Sequence, residues 1–179
     1  MAVILAGVQT LLQHIHHIHT QPEDYRPDRC THCGKNGLWC HGSYSRKANR
    51  RGLERDIEAP VSIPRYRCPE CGGTCSCLPE AVPPRRHYLW DVQQQVLLLL
   101  LSGLSLNKVA QRLAPSRHTI RRWWQRLKQR FTLDASLLRS HFPVLGRTPT
   151  FDEFWRACLA RMRFSQAMLV VHRSGAAIP

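Results

Sequence analysis

Four of the eight cysteines fall in two C-x-x-C pairs, Cys30-Thr-His-Cys33 and Cys68-Pro-Glu-Cys71. Each pair is a tight turn that brings two thiolates within reach of one tetrahedral ion, so two turns complete a four-sulfur zinc site. Gly34 follows the first pair and Gly72-Gly73 the second, where a residue without a Cβ relieves the turn. An all-thiolate site keeps no open coordination position. The expected chemistry is structural, one zinc ion per chain that folds a module rather than activating water. His32, inside the first turn, is expected to face solvent and not to ligate.

The segment that must position these sulfurs runs over residues 28–80 and reads as a β-rich zinc ribbon. Leu38 to Arg46 and Ile63 to Arg67 alternate in character as short half-buried strands do, with a polar hairpin or loop from Arg46 to Asp56. Gly73 to Pro79 gives a third strand with Cys75 and Cys77 on one face, directed at the core as small hydrophobes. A second zinc site drawn from Cys40, His41, Cys75 or Cys77 is an alternative, although its spacing is not that of a knuckle. Cys158 is left as a buried thiol.

Residues 1–27 read as an N-terminal amphipathic helix and linker. Leu11, Leu12, Ile15 and Ile18 recur at helical spacing over residues 1–20, and the helix is expected to stop before Gln21-Pro22. His14, His16, His17 and His19 decorate it. Pairs three apart could share a metal, but no carboxylate or cysteine is near in sequence, and a solvated polar face is the expectation. At residues 81–87, overlapping the Pro-rich run Pro79 to Arg86, a stiff joint is expected between two separate units.

Charge directs attention to the next segment. The chain has 26 Lys and Arg against 12 Asp and Glu, a formal net charge of +14, which suits an acidic polymer as partner. From Val92 to Leu133 there is no acidic residue at all. Residues 88–131 spell three helices. Leu89, Val92, Val96, Leu97, Leu100 and Leu101 form one apolar stripe ended at Ser102-Gly103. Ser105 caps a short second helix with Val109, Ala110 and Leu113 inward, and Ala114-Pro115 makes the turn. Ser116 caps a third, with Ile120, Trp123 or Trp124, and Leu127 at core spacing.

This is a helix-turn-helix pattern, whose last helix lies in the major groove of double-stranded DNA. With Ile120 and Trp123 inward, Arg117, His118, Arg121 and Arg122 are left exposed beside the cap Ser116 as candidate base-reading residues. Arg126, Lys108, Lys128 and Arg130 are candidate phosphate contacts. A three-helix protein-binding bundle is the plainer alternative, but it has no need of an acid-free, Arg-rich third helix.

The order of these parts carries a resemblance. Arg65-Tyr-Arg-Cys68 leading into the second knuckle, the Pro-rich joint, Gly103 to Leu113, and Ser116-Arg-His-Thr-Ile-Arg-Arg-Trp123 together resemble the DNA-binding region of bacterial insertion-sequence transposases and their small accessory proteins. The resemblance covers about residues 28 to 130. It implies recognition of an element's terminal repeats, with the ribbon assisting or contacting DNA. It also implies Cys30, Cys33, Cys68 and Cys71 as zinc ligands and Arg117, His118, Arg121 and Arg122 as recognition-helix residues. Cys75 stands where that family usually has an aromatic residue. Ala114 replaces a Gly, at a cost of about 1–2 kcal/mol if left-handed, and Pro115 replaces an apolar residue.

Residues 132–179 read as a C-terminal helical docking segment. Thr150-Phe-Asp-Glu153 is a capping box, followed by an apolar face of Phe151, Phe154, Trp155, Cys158, Leu159, Met162 and Met168 that meets the core or a partner subunit. A carboxylate nuclease would need far more than the 49 residues after Arg130, and Asp152 and Glu153 suit the helix dipole. No H-E-x-x-H, H-x-E deaminase motif, Walker loop or G-x-S-x-G is present.

The expectation is therefore an α+β protein with a small β-rich zinc ribbon, a helix-turn-helix domain and amphipathic terminal helices. It is not an enzyme but a zinc-dependent, sequence-specific DNA-binding protein serving transposition as an accessory, end-binding protein or repressor. A host transcriptional regulator and a protein-docking zinc adaptor are the alternatives. Its other expected partners are a transposase or a second copy through the C-terminal helix. Met1 to Val8 lacks a basic flank and Val96 to Leu101 is too short to cross a bilayer, so a cytoplasmic, nucleoid-associated location is expected and no membrane partner.

Overall fold

The computed structural model describes residues 2–47 and 60–175, and the expected loop after Lys47 lies mostly outside them. The fold is α+β, and the chain divides into two units, Met1–Leu89 and Trp90–Pro179.

The first unit is a mixed four-stranded sheet of β1 (Ala2–Leu5), β2 (Trp39–Arg46), β3 (Val61–Arg67) and β4 (Thr74–Pro79), in the order β1-β4-β3-β2. β2 and β4 run antiparallel to β3, and β1 runs parallel to β4. The single helix expected over residues 1–20 is corrected here. Ala2 to Leu5 pairs with Ser76 to Pro79, and the helix α1 is confined to Leu11–Thr20. A four-residue apolar run has no period of its own, and β4 offered it a free row of backbone partners. Gly7 turns the chain at φ +87°. Thr10 then opens α1 with a capping box, its hydroxyl accepting from Gln13 N at 3.0 Å while Gln13 Oε1 accepts from Thr10 N at 3.1 Å.

The buried face of α1 also differs from the expected stripe. Leu12 is 67% exposed and Ile15 is exposed, while Leu11 and His14 are buried. His14, expected on a solvated face, lies within hydrogen-bond distance of Tyr25 Oη (2.5 Å) and Ser62 O (2.8 Å). A neutral imidazole with both nitrogens satisfied is an acceptable core residue. The chain folds back after Gln21-Pro22, so Asp24, absent from the local sequence reading, reaches His17 Nε2 at 2.9 Å.

Each face of the sheet has its own core. Leu11, Val61, Ile63, Leu78, Ala81, Val82 and Leu89 form one. Tyr25, Leu38, Tyr66, Cys75 and Cys77 form the other, together with Cys30 and Cys68 of the two C-x-x-C pairs. The Pro-rich run packs on this unit. Ala81 and Val82 are buried, Ala81 N donates to Val8 O at 3.3 Å, and Arg46 donates to Pro83 O at 2.7 Å and to Arg86 O. Two buried apolar side chains between prolines hold it on the sheet.

The second unit is helical: α2 (Trp90–Leu101), α3 (Leu106–Arg112), α4 (Arg117–His141), α5 (Phe151–Leu159) and α6 (Phe164–Arg173). α2 ends as expected at Gly103, at φ +92°, with Leu104 N donating to Leu99 O and Gly103 N to Leu100 O, the Schellman arrangement. Ser105 and Ser116 accept from Lys108 N and Thr119 N as N-caps. The third helix is longer than expected and runs on to His141, because Phe131, Ala135 and Leu138 continue its packed face and nothing breaks it before Phe142-Pro143. The single C-terminal helix becomes two, broken after Leu159, with Phe164 N donating to Gln94 Oε1 at 2.7 Å. Phe154, Trp155, Cys158, Phe164 and Met168 share one core with Leu97, Leu101, Leu127 and Leu138. Edge-to-face rings, Phe154 on Trp155 at 5.4 Å and Trp155 on Phe164 at 5.6 Å, fill its centre. Among the described residues no helix is long and apolar enough to cross a membrane.

Candidate metal centre and nucleic-acid interface

The two C-x-x-C turns are built alike. Cys30 N donates to Lys35 O (2.7 Å) and Gly34 N to Cys30 O (2.9 Å); Cys68 N donates to Gly73 O (2.9 Å) and Gly72 N to Cys68 O (3.1 Å). Gly34 and Gly72 take φ +73° and +66°, a conformation that L side chains adopt at a cost. The sheet brings the turns together, one before β2 and the other between β3 and β4. Cys30 Sγ lies 3.7 Å from Cys71 Sγ and Cys33 Sγ 3.6 Å from Cys68 Sγ, and all four sulfurs lie within 4.8 Å of one another.

A zinc ion with Zn–S of about 2.3 Å spaces its sulfurs about 3.8 Å apart in a tetrahedron. The donor set and its spacing therefore fit one zinc. Backbone N–H groups of Cys33 and His32 aimed at Cys30 Sγ favour its thiolate, the form that metal binding requires. Cys30 and Cys68 are buried, and Cys33 and Cys71 are exposed. His32 is exposed as expected, its ring so close to Gly73 that a Cβ there would stand 3.0 Å from Cδ2. Among the described residues no second group of three or more metal-ligating side chains converges. Cys75 and Cys77 are core thiols, and burial raises both. Cys40 is exposed on β2.

The candidate DNA-reading residues lie on α4. Arg117, His118, Arg121 and Arg122 are all exposed in its first six residues, while Ile120 and Trp123 are buried beneath them. Steps of three and four residues bring those three arginines and the histidine onto one strip of helix surface. Ser116 Oγ accepts from Thr119 N at 3.3 Å at the head of that strip. Trp124 is the half-buried one of the tryptophan pair, stacked edge-on against Phe151 at 5.0 Å. Ala114 is not left-handed, since among the described residues Arg85 alone has positive φ without being Gly; the turn closes without that strain. Pro115 is buried.

The four candidate phosphate contacts differ in setting. Lys108 is exposed on α3. Lys128 Nζ sits 4.9 Å over the Trp124 ring. Arg126 is half-buried. Arg130 Nη2 holds Asp134 Oδ1 at 3.2 Å, and Asp134 is fully buried, its carboxyl raised by that burial against the pull of Arg130. Arg130 thus has a partner inside the protein, one helical turn away, which a reading of local charge overlooked.

Sequence reasoning also missed the sheet surface of β2. Trp39 and Tyr44 are exposed instead of half-buried. Alternation alone did not show that the strand lies at the sheet edge, nor that its register shifts between Cys40 and Ser43.

A mixed sheet bearing a four-cysteine cluster, followed by a helical region, defines the class. Residues 30–123 match the family model described as a domain of unknown function, DUF6431, and the chain belongs to that family. The match runs from Cys30, the first cysteine of the four-sulfur group, to Trp123, buried under the basic strip of α4. No curated protein matches the chain, and no solved structure does.

Proposed function

We propose that the protein is a zinc-stapled, non-catalytic binder of double-stranded DNA that reads sequence with the start of α4. The observation carrying this reading is the exposed strip of Arg117, His118, Arg121 and Arg122, anchored from below by Ile120 and Trp123. An arginine there can pair bidentately with guanine O6 and N7, worth about 1–3 kcal/mol against a wrong base. Lys108 and Lys128 add phosphate contacts, each contributing about −0.9 to the slope of log affinity on log salt. The zinc centre folds the neighbouring sheet and does no chemistry of its own.

Service to a mobile element, as an end-binding subunit or repressor, is the finer reading. The order of knuckles, Pro-rich run and helix-turn-helix supports it, and a host regulator is distinguished by a target that lies in a promoter and not in terminal repeats. Selection from a random duplex library with the zinc-loaded chain tests the function. Enrichment of a defined site is expected. Recovery of unchanged random sequence after several rounds contradicts sequence reading.

A further inference from the structure

β2 is an edge strand of the sheet, and its surface carries large rings. Trp39 is 65% exposed and Tyr44 36%. The register puts both on one side, Trp39 opposite Arg67 and Tyr44 opposite Ile63. Arg65 lies between those two partners and shares their side by alternation. It faces the stretch where the register shifts, between Cys40 and Ser43, so no β2 residue sits directly across from it. β4 adds Thr74 and Ser76, opposite Arg67 and Arg65, and Arg65 Nη2 donates to Thr74 Oγ1 at 3.4 Å. These six positions hold two rings, two guanidinium groups and the aliphatic hydroxyls of Thr74 and Ser76, with no carboxylate among them.

We propose that this face is a stacking platform for the unpaired bases of a single-stranded nucleic acid, with Trp39 and Tyr44 as the ring surfaces and Arg65 and Arg67 as phosphate partners. Cationic grooves with exposed rings bind single strands because every base has a π-face, whereas bases inside a duplex are already stacked on one another. The spacing suits it. The β3 partners of the two rings are four residues apart, about 13 Å along a strand, far enough for each ring to meet a separate base of one strand. An acid-free arginine pair in a chain of net charge +14 selects a polyanion over an apolar peptide as occupant. The platform lies within the first unit and shares no residue with the duplex-reading helix, so the two readings are tested by different variants and fail separately.

The test uses the full zinc-loaded chain and fluorescence anisotropy at one ionic strength, with labelled oligothymidylate and an abasic strand of equal length. The abasic strand reports charge alone. The chain is expected to prefer the base-bearing strand. Trp39→Ala should cut that preference about 5- to 150-fold, Trp39→Phe should retain most of it, and duplex affinity should stay unchanged in both. Trp39 is exposed, so its removal opens no cavity, and unchanged zinc content and circular dichroism verify the fold. No preference for bases, a preference that survives Trp39→Ala, or an equal loss of duplex binding overturns the proposal.

Discussion

The carbonyl of Ser62 can only accept, so His14 carries its proton on Nε2, and Nδ1 accepts from the Tyr25 hydroxyl. One imidazole thereby ties α1 to β3 and to the turn containing Tyr25. Burial lowers its affinity for a proton, and nearby His17 adds to that effect. The ring stays neutral in the folded state while the unfolded chain titrates near 6.5. Acid therefore favours unfolding: this contribution is complete above about pH 6.5 and is lost as pH falls from there towards the lowered folded value. His14→Gln removes the titrating ring. Chemical denaturation should find wild type more stable than the variant at pH 7.5, by a margin that narrows by pH 5.5. Loss of zinc in acid cancels in that difference, and a margin independent of pH contradicts the neutral buried ring.

At the level of elements, α4 serves two purposes. Its first turns present cations and its later turns are core, with Ala135 and Leu138 fully buried. Ser116→Ala should lower the stability of the helical unit by about 1 kcal/mol, the usual cost of losing such a cap, read as a lower melting temperature, and should weaken duplex binding by fraying the strip. Unchanged melting would show that the cap contributes nothing. The caps Ser105 and Ser116, the stop at Gly103 and the Thr150–Glu153 box were legible because each is settled within a few residues. So were both knuckles. What the sequence concealed was non-local: β1 finds its partner more than seventy positions away in β4, and the edge position of β2 follows from the strand order alone. The length of α4 was hidden because a fall in basic charge after Arg130 looks like a boundary, although the apolar spacing continues through it.

For the whole molecule, two units with cores of different kinds share one chain. The first has its sheet between two apolar clusters and beside a four-sulfur group, and metal-binding energy of such a site is folding energy. The second unit closes over its own aromatic core. Metal analysis should find one zinc per chain. Chelation should remove the sheet while the helical circular dichroism of residues 90–175 persists, and joint collapse of both units would show that the helices depend on the metal.

The most direct test of the account is a titration of the selected duplex and a scrambled duplex with wild type and Arg121→Ala, each carrying its zinc. The account predicts that Arg121→Ala loses about 1–3 kcal/mol on the selected site and much less on the scrambled one. Equal losses on both would reduce Arg121 to a phosphate contact, and absence of wild-type binding to either duplex at low salt would contradict the account as a whole.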